Sequence, residues 1–214
     1  GAACIDMGSG TTGISIFYNH QLIFASNIRF GSENITSDIM QAFQLSFNEA
    51  ERIKTLYGGL VVTNLDDNEL IELSFSDANK EYYNYDRPFI SRAELISVIR
   101  PRCEEIIEEI QFSLDKTGLE QLSSKRIVFT GGGSQLPGLY ELASEYFGSR
   151  IRIGRPMRVQ GLPQALQGSQ FSAIIGLAIE ISNLQDEVWD FEIPTILEPG
   201  QRLKSAVNWL KENW

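Results

Sequence analysis

The chain has 214 residues, 43% of them hydrophobic, and a formal net charge of −10. That length and apolar content suit one or two folded domains with a filled core, and the acidic balance argues against nucleic acid as a general partner. No run of about 18 apolar residues offers a spanning helix and no basic region precedes an apolar one at the N-terminus, so a cytoplasmic chain is expected.

Cys4 and Cys103 lack metal or redox spacing and read as buried reduced thiols. The single His20 sits in an Asn19-His20 turn, which leaves histidine catalysis and histidine metal sites without a candidate.

Taken in order, residues 2–8 read as a buried strand that delivers Asp6 onto a tight turn built from Gly8, Ser9 and Gly10. Two glycines around one small residue let successive N–H groups face one concavity, which suits a phosphate. Thr11 and Thr12 would add hydroxyl donors, and Asp6 could hold a magnesium ion through its water shell. An ordinary hairpin turn is the competing reading of a lone Gly-x-Gly. Residues 12–18 and 21–30 read as two further strands joined at Asn19-His20. After Gly31 the period becomes helical through Ile35, Ile39, Ala42 and Phe43, and Ser46 stands ready to cap a helix from Phe47 to Tyr57. Glu51 and Lys54 share a face of that helix, a spacing that by itself reads as a surface ion pair.

Two short strands, Leu60–Thr63 and Glu69–Phe75, imply a second small sheet, followed by a tyrosine-rich loop over residues 77–87. Ser91 can cap a helical region from Arg92 to Lys116, where Pro101 predicts a kink or two abutting helices. Ile99, Cys103, Ile106, Ile110 and Leu114 form its apolar stripe, and Glu104, Glu105, Glu108 and Glu109 a solvated face. A β-prone run, Ile127 to Thr130, then ends in Gly131, Gly132, Gly133 and Ser134, where backbone can approach a flat ligand; glycine triplets also occur in plain loops. A helix to Phe147, a strand Ile151–Ile153, a loop to Gln167 and an apolar helix from Phe171 to Leu184 follow. The small residues Ser172, Ala173, Gly176 and Ala178 suit either a domain hinge or tight packing on the chain's own sheet. Residues 185–200 look like an acidic linker. In the last fourteen positions Leu203, Val207, Leu210 and Trp214 recur at helical intervals, with Trp209 at the boundary and Arg202, Lys204 and Lys211 elsewhere. That is the pattern of a helix lying in a membrane interface, or of one packing on its own body.

The strand with Asp6-Met7-Gly8-Ser9-Gly10-Thr11, the Gly31-x-x-x-Ile35-Thr36-x-Asp38-Ile39 helix, Ala50-Glu51-Arg52-Ile53-Lys54 and Thr130-Gly131-Gly132-Gly133 together resemble the FtsA family of bacterial division actins. The resemblance implies an α/β, actin-like ATPase (ribonuclease H-like) second-half domain. Residues 1–31 and 126–184 would form the nucleotide-binding subdomain, 32–125 an inserted smaller one, and 201–214 the membrane-targeting helix. ATP and Mg2+ would be the cofactors. Gly8, Ser9, Gly10, Thr11, Thr12, Gly131, Gly132, Gly133 and Ser134 would lie around the nucleotide, with Glu51 and Lys54 on its ribose and adenine side. The magnesium-water shell would rest mainly on Asp6, because Gly13 stands where many relatives have an acidic residue.

The function implied is an adaptor that polymerises and ties the FtsZ ring to the anionic inner membrane, at its cytoplasmic face at the division septum. The FtsZ C-terminal tail would dock near Arg100 and Arg102, unless those arginines pair with the glutamates one turn away. The family has a preceding half, with the first phosphate loop, that lies outside this sequence. At most a weak ATPase is therefore expected. An ATP-dependent phosphotransferase, which would need a general base, and a nucleotide-free scaffold are the rival readings.

Overall fold

Alternation of small and branched apolar side chains makes the first hairpin of the chain. In the computed structural model β1 (Ala2–Met7) and β2 (Thr12–Tyr18) pair antiparallel, with Ala3 opposite Ile16 and Ile5 opposite Ile14. Successive side chains point to opposite faces, so Ala3, Ile5, Met7, Ile14 and Ile16 are all buried on one side. Asn19 and His20, both at positive φ, turn the chain into β3 (Gln21–Ile28), and such a two-residue turn matches the twist of its strands. The structure describes residues 1–63, 66, 68–74, 88–118, 126–148 and 150–182. The expected acidic linker, the terminal helix with Leu203, Val207, Trp209, Leu210 and Trp214, and the loop 77–87 lie outside them.

Two helices follow. The first, α1 (Ser32–Phe43), begins at Gly31, and the second, α2 (Phe47–Tyr57), is capped by Ser46, whose hydroxyl accepts from the Glu49 N–H. A two-stranded sheet pairs β4 (Leu70–Glu72) with β5 (Phe89–Ser91). The second small sheet is thus present but its expected first strand is not. Leu60–Thr63 is irregular: Leu60 is buried and donates its N–H to the Pro137 carbonyl at 2.9 Å, while the Thr63 N–H goes to the Asp66 carboxylate. With those groups committed elsewhere the segment makes no ladder, and Phe89–Ser91 takes the place beside β4.

Next comes α3 (Arg92–Lys116), opened by a capping box between Ser91 and Glu94. It runs as one helix through Pro101. A proline inside a helix costs about 3 kcal/mol. Ile99, Cys103, Ile106, Ile107, Ile110 and Leu114 are nevertheless buried along one continuous stripe. At about 1.5–3 kcal/mol for each fully buried aliphatic side chain, the stripe outweighs the proline, which sits on the exposed side. Burial also pushes the Cys103 thiol up to about 12, so it stays protonated and inert.

The chain closes with β6 (Ile127–Thr130), α4 (Leu139–Phe147), β7 (Ile151–Ile153) and α5 (Ser172–Ser182). Strand β6 runs parallel to both β1 and β7, giving a five-stranded sheet in the order β3-β2-β1-β6-β7. One face of the sheet, carrying Ile5, Ile14, Ile127, Phe129 and Ile151, shares a single core with α1, α2, α3 and α4. The opposite face carries Cys4, Ser15 and Val128, all only partly buried.

Candidate functional site

Parallel neighbours end on the same side of a sheet, and ligands in such sheets bind outside the carboxyl ends of the strands. Asp6 of β1 lies in register with Thr130 of β6, so the two glycine turns emerge side by side. Gly131, at φ +84°, is held against the first strand. A Cβ there would stand 2.3 Å from Asp6 Oδ1 and 2.5 Å from the Met7 carbonyl oxygen. No other residue type permits that approach.

The first turn is clamped from outside. The Ser32 and Glu33 N–H groups at the start of α1 donate to the Gly8 and Ser9 carbonyls, each at 2.9 Å, and a Cβ on Gly31 would meet the Ser9 carbonyl oxygen at 2.1 Å. Gly8 donates to the Thr11 and Asp6 carbonyls, while the amides of Ser9, Gly10 and Thr11 make no hydrogen bond among the described residues. Three adjacent amides at one turn remain free for an anion. Thr12 takes no part. Its side chain is fully buried and its hydroxyl donates to the Phe30 carbonyl at 2.8 Å, where the sequence suggested a phosphate donor.

The second turn is clamped from behind. Gly131 donates its N–H to the Ser169 carbonyl at 3.2 Å, the Ser134 hydroxyl donates to the Gly131 carbonyl at 2.7 Å, and the Thr130 hydroxyl reaches the Ser172 hydroxyl at 2.6 Å. Ser134 is buried and shapes the turn, contrary to the ligand-facing place expected of it. Gly132 and Gly133 carry no side chain and leave their amides without partners among the described residues. The Ser169–Ser172 support was not legible in advance, since it comes from a polar loop without periodicity.

Between the turns lie two cavities with shared walls. One, about 570 Å³, is lined by Asp6, Gly8, Ser9, Ser32, Glu51, Gly131 and Gly132. Another, about 340 Å³, is lined by Ser32, Ile35, Glu51, Lys54, Gly132, Gly133 and Pro137. Lys54 is 10% exposed and Glu51 36%, and they do form the ion pair that their spacing suggests, at 2.5 Å. The pair is nonetheless part of the cavity wall. Lys54 Nζ also donates to Thr36 Oγ1 at 2.7 Å and to the Ser32 carbonyl at 3.1 Å, and the Thr36 hydroxyl donates to Glu51 Oε1. Glu51 Oε2 carries no hydrogen bond among the described residues. Thr36, fully buried, belongs to the Gly31–Ile39 motif but was not expected to take part in the site.

Asp6 has neither a cationic partner nor a hydrogen-bond donor among the described residues, and burial holds its carboxyl above the ordinary carboxylate range. One half-buried, unpaired carboxylate at the mouth of a cavity lined by free amides fits a magnesium ion carried mainly by water and phosphate oxygens. Among the described residues no cluster of three or more metal-ligating side chains exists. Arg100 and Arg102 lie apart from this cleft, and both are engaged. Arg100 pairs with Glu104 at 2.7 Å and Glu145 at 3.5 Å. Arg102 grips Asp38 with two bonds, at 2.6 and 2.9 Å, and also pairs with Glu105.

The model of the family "Cell division protein FtsA" matches residues 3–176. A cell division protein FtsA of Agrobacterium fabrum is 35% identical over 223 residues, covering 100% of this chain and 48% of that protein. Its counterpart in Rhizobium meliloti is 33% identical over 217 residues, again covering 100% of this chain and 48% of that protein. The chain thus spans about half the length of the curated relatives it matches. The solved structure of MreB 5 of Spiroplasma citri bound to AMPPNP shares the fold, with a TM-score of 0.64 and 18% identity over 85% of this chain and 53% of that one.

The Asp6 environment generates a stability prediction. The folded chain binds the Asp6 proton at a higher pH than the unfolded chain does, so stability falls as pH rises through that window. Asp6→Asn, which cannot ionise, should therefore melt at a higher temperature than the parent at neutral pH, with the difference shrinking on acidification. Differential scanning fluorimetry across that range checks it, and a lower melting temperature for the variant at neutral pH would contradict the burial penalty.

Proposed function

The chain belongs to the FtsA family, and from that premise we propose that it is an ATP-binding, actin-like cell-division protein that self-associates and ties the FtsZ ring to the inner membrane, at its cytoplasmic face at the septum. The observation that supports nucleotide binding best is the convergence of two clamped glycine turns on one cleft. In this reading the amides of Ser9, Gly10 and Thr11 take phosphate oxygens, and Gly132 and Gly133 allow the adenosine to lie against bare backbone. Glu51 offers its free oxygen to ribose hydroxyls, held in place by Lys54 and Thr36. Magnesium, when bound, neutralises phosphate charge, and Asp6 would hold its water shell. No side chain in the two cavities stands out as a general base for an acceptor, which favours an adaptor over a phosphotransferase.

The adaptor reading gives the other two partners their places. An acidic FtsZ tail would meet Arg100 and Arg102 on α3, which are 38% and 25% exposed and would exchange a share of their present carboxylates for those of the peptide. Anionic lipid would meet the terminal segment through Leu203, Val207, Trp209, Leu210 and Trp214, with Arg202, Lys204 and Lys211 adding about 1 kcal/mol each at the surface. One such segment binds weakly, so stable attachment calls for several presented together by a filament.

Calorimetric titration with ATP tests the nucleotide assignment. Losing a hydrogen bond to a charged group costs about 1.5–3 kcal/mol, so Glu51→Ala should weaken ATP roughly tenfold or more while keeping the magnesium dependence, and Asp6→Ala should abolish that dependence. Equal effects of both changes would mean that the two roles are misassigned. For the ring partner, Arg102→Glu should weaken binding of an FtsZ-tail peptide several-fold at unchanged circular dichroism, and unaltered affinity would remove Arg102 from that surface. For the membrane, Leu210→Glu should reduce flotation with anionic liposomes, and flotation equal to the parent would dismiss the terminal segment as the anchor.

A further inference from the structure

Apart from Arg29, exposed just after β3, the arginines of the described residues fall into two sets. Arg52, Arg92, Arg100 and Arg102 lie on the helices, and each has a carboxylate partner. Arg126, Arg150, Arg152, Arg155 and Arg158 are exposed, and none has an ion pair or hydrogen bond through its side chain among the described residues. In a chain of net charge −10 that separation is informative. Acidic side chains are plentiful, yet among the described residues none pairs with the second set.

These five residues share one edge of the large sheet. Ile127 lies in register with Ile151, and the Ile127 N–H donates to the Arg150 carbonyl, so Arg126 and Arg150 stand next to one another at the start of β6 and β7. Arg150 and Arg152 flank the buried Ile151 on the edge strand and therefore point to the same side, opposite the core. Just beyond β7 the chain continues Arg155-Pro156-Met157-Arg158-Val159. Met157 there is 75% exposed, Val159 and Ile153 are also exposed, and Arg155 and Arg158 line a depression of about 750 Å³ with Ile153, Pro156 and one acid, Glu141, with which neither arginine forms an ion pair. A basic edge without ion pairs among the described residues thus carries a prominent apolar side chain at its tip.

We propose that this edge, Arg126, Arg150, Arg152, Arg155 and Arg158 around Met157, is a second membrane contact that binds the headgroups of anionic lipids. It rests on the membrane reading of the preceding subsection but uses none of the same residues. Guanidinium groups pair with phosphate oxygens through two parallel hydrogen bonds. A body this acidic is repelled by an anionic leaflet unless a local cationic face meets it first. The exposed methionine decides between lipid and an acidic polypeptide. Arginines on either side of an unburied apolar side chain match a partner whose outer layer is anionic and whose next layer is apolar, which is the order of layers in a bilayer.

The test is co-sedimentation of the intact 214-residue chain with vesicles of phosphatidylcholine containing rising fractions of phosphatidylglycerol. Arg155→Glu/Arg158→Glu should lower the partition coefficient on anionic vesicles at least ~25-fold, from about a fivefold effect for each of the two basic residues at such a surface, and leave binding to pure phosphatidylcholine unchanged. Arg29→Glu/Lys116→Glu makes the same change in net charge away from this edge and should alter binding by no more than about twofold. Met157→Asp should weaken the binding that survives at high salt. Because all the substituted side chains are exposed, thermal melts should match the parent. The same arginine pair is also introduced into a Leu210→Glu chain. A further loss there supports an independent contact even if Leu210→Glu alone has no effect, so the two membrane claims fail separately. A double arginine variant that binds anionic vesicles as the parent does, or a control variant that loses as much, overturns the proposal, and with it leaves an acidic polypeptide as the partner for this edge.

Discussion

The parallel pairing of β1 with β6 is the constraint from which the rest of the site follows. Residues more than a hundred positions apart become neighbours only because Asp6 comes into register with Thr130. The close contact of Gly131 with Asp6 Oδ1 and the Met7 carbonyl then fixes how near the two turns can lie. A methyl group at that one position would separate them. It would strike the Asp6 carboxylate, which could swing aside, and the Met7 backbone, which cannot retreat without disturbing β1.

Around that contact several polar groups hold the turns in place. The N-terminal amides of α1 hold the carbonyls of the first turn, and the Ser169 carbonyl with the Ser134 hydroxyl holds the second. Thr36, Lys54 and Glu51 lock α1 to α2 across the adjoining cavity. What remains free is a small set: the amides of Ser9, Gly10, Thr11, Gly132 and Gly133, one oxygen of Glu51, and Asp6. A rigid frame presenting free donors opposite an unpaired acid is preorganised for a phosphate with its cation, because little ordering entropy is left to be lost on binding.

Much of this could be read from the sequence where the signal was local. The β2–β3 hairpin with its Asn19-His20 turn, the Ser46 and Ser91 caps, the bounds of α2 and the stripe of α3 all follow from periodicity and capping chemistry. The actin-like fold was legible too, from four short motifs in the right order. What failed depended on partners distant in sequence. Leu60–Thr63 has strand composition but its backbone is taken by Pro137 and Asp66, and Phe89–Ser91, unremarked as a strand, has the free edge. Of the two expectations at Pro101, two abutting helices are not formed, because one helix runs through it. Thr12 and Ser134 sit in the motifs yet face inward, since strand alternation and the tight turn aim their hydroxyls at carbonyls of the protein. The bond of Thr36 to Glu51 and Lys54, and the part played by Ser169, could be found only once α1 and the loop before α5 were placed.

The central claim is that the two glycine turns act as one nucleotide cleft, and hydrogen exchange with and without ATP and magnesium tests it most directly. Nucleotide should slow exchange at Ser9, Gly10 and Thr11 together with Gly132 and Gly133, because these amides have no hydrogen bond in the structure and would acquire one or be shielded. Protection of one turn without the other, or protection confined to other parts of the chain, would contradict the account.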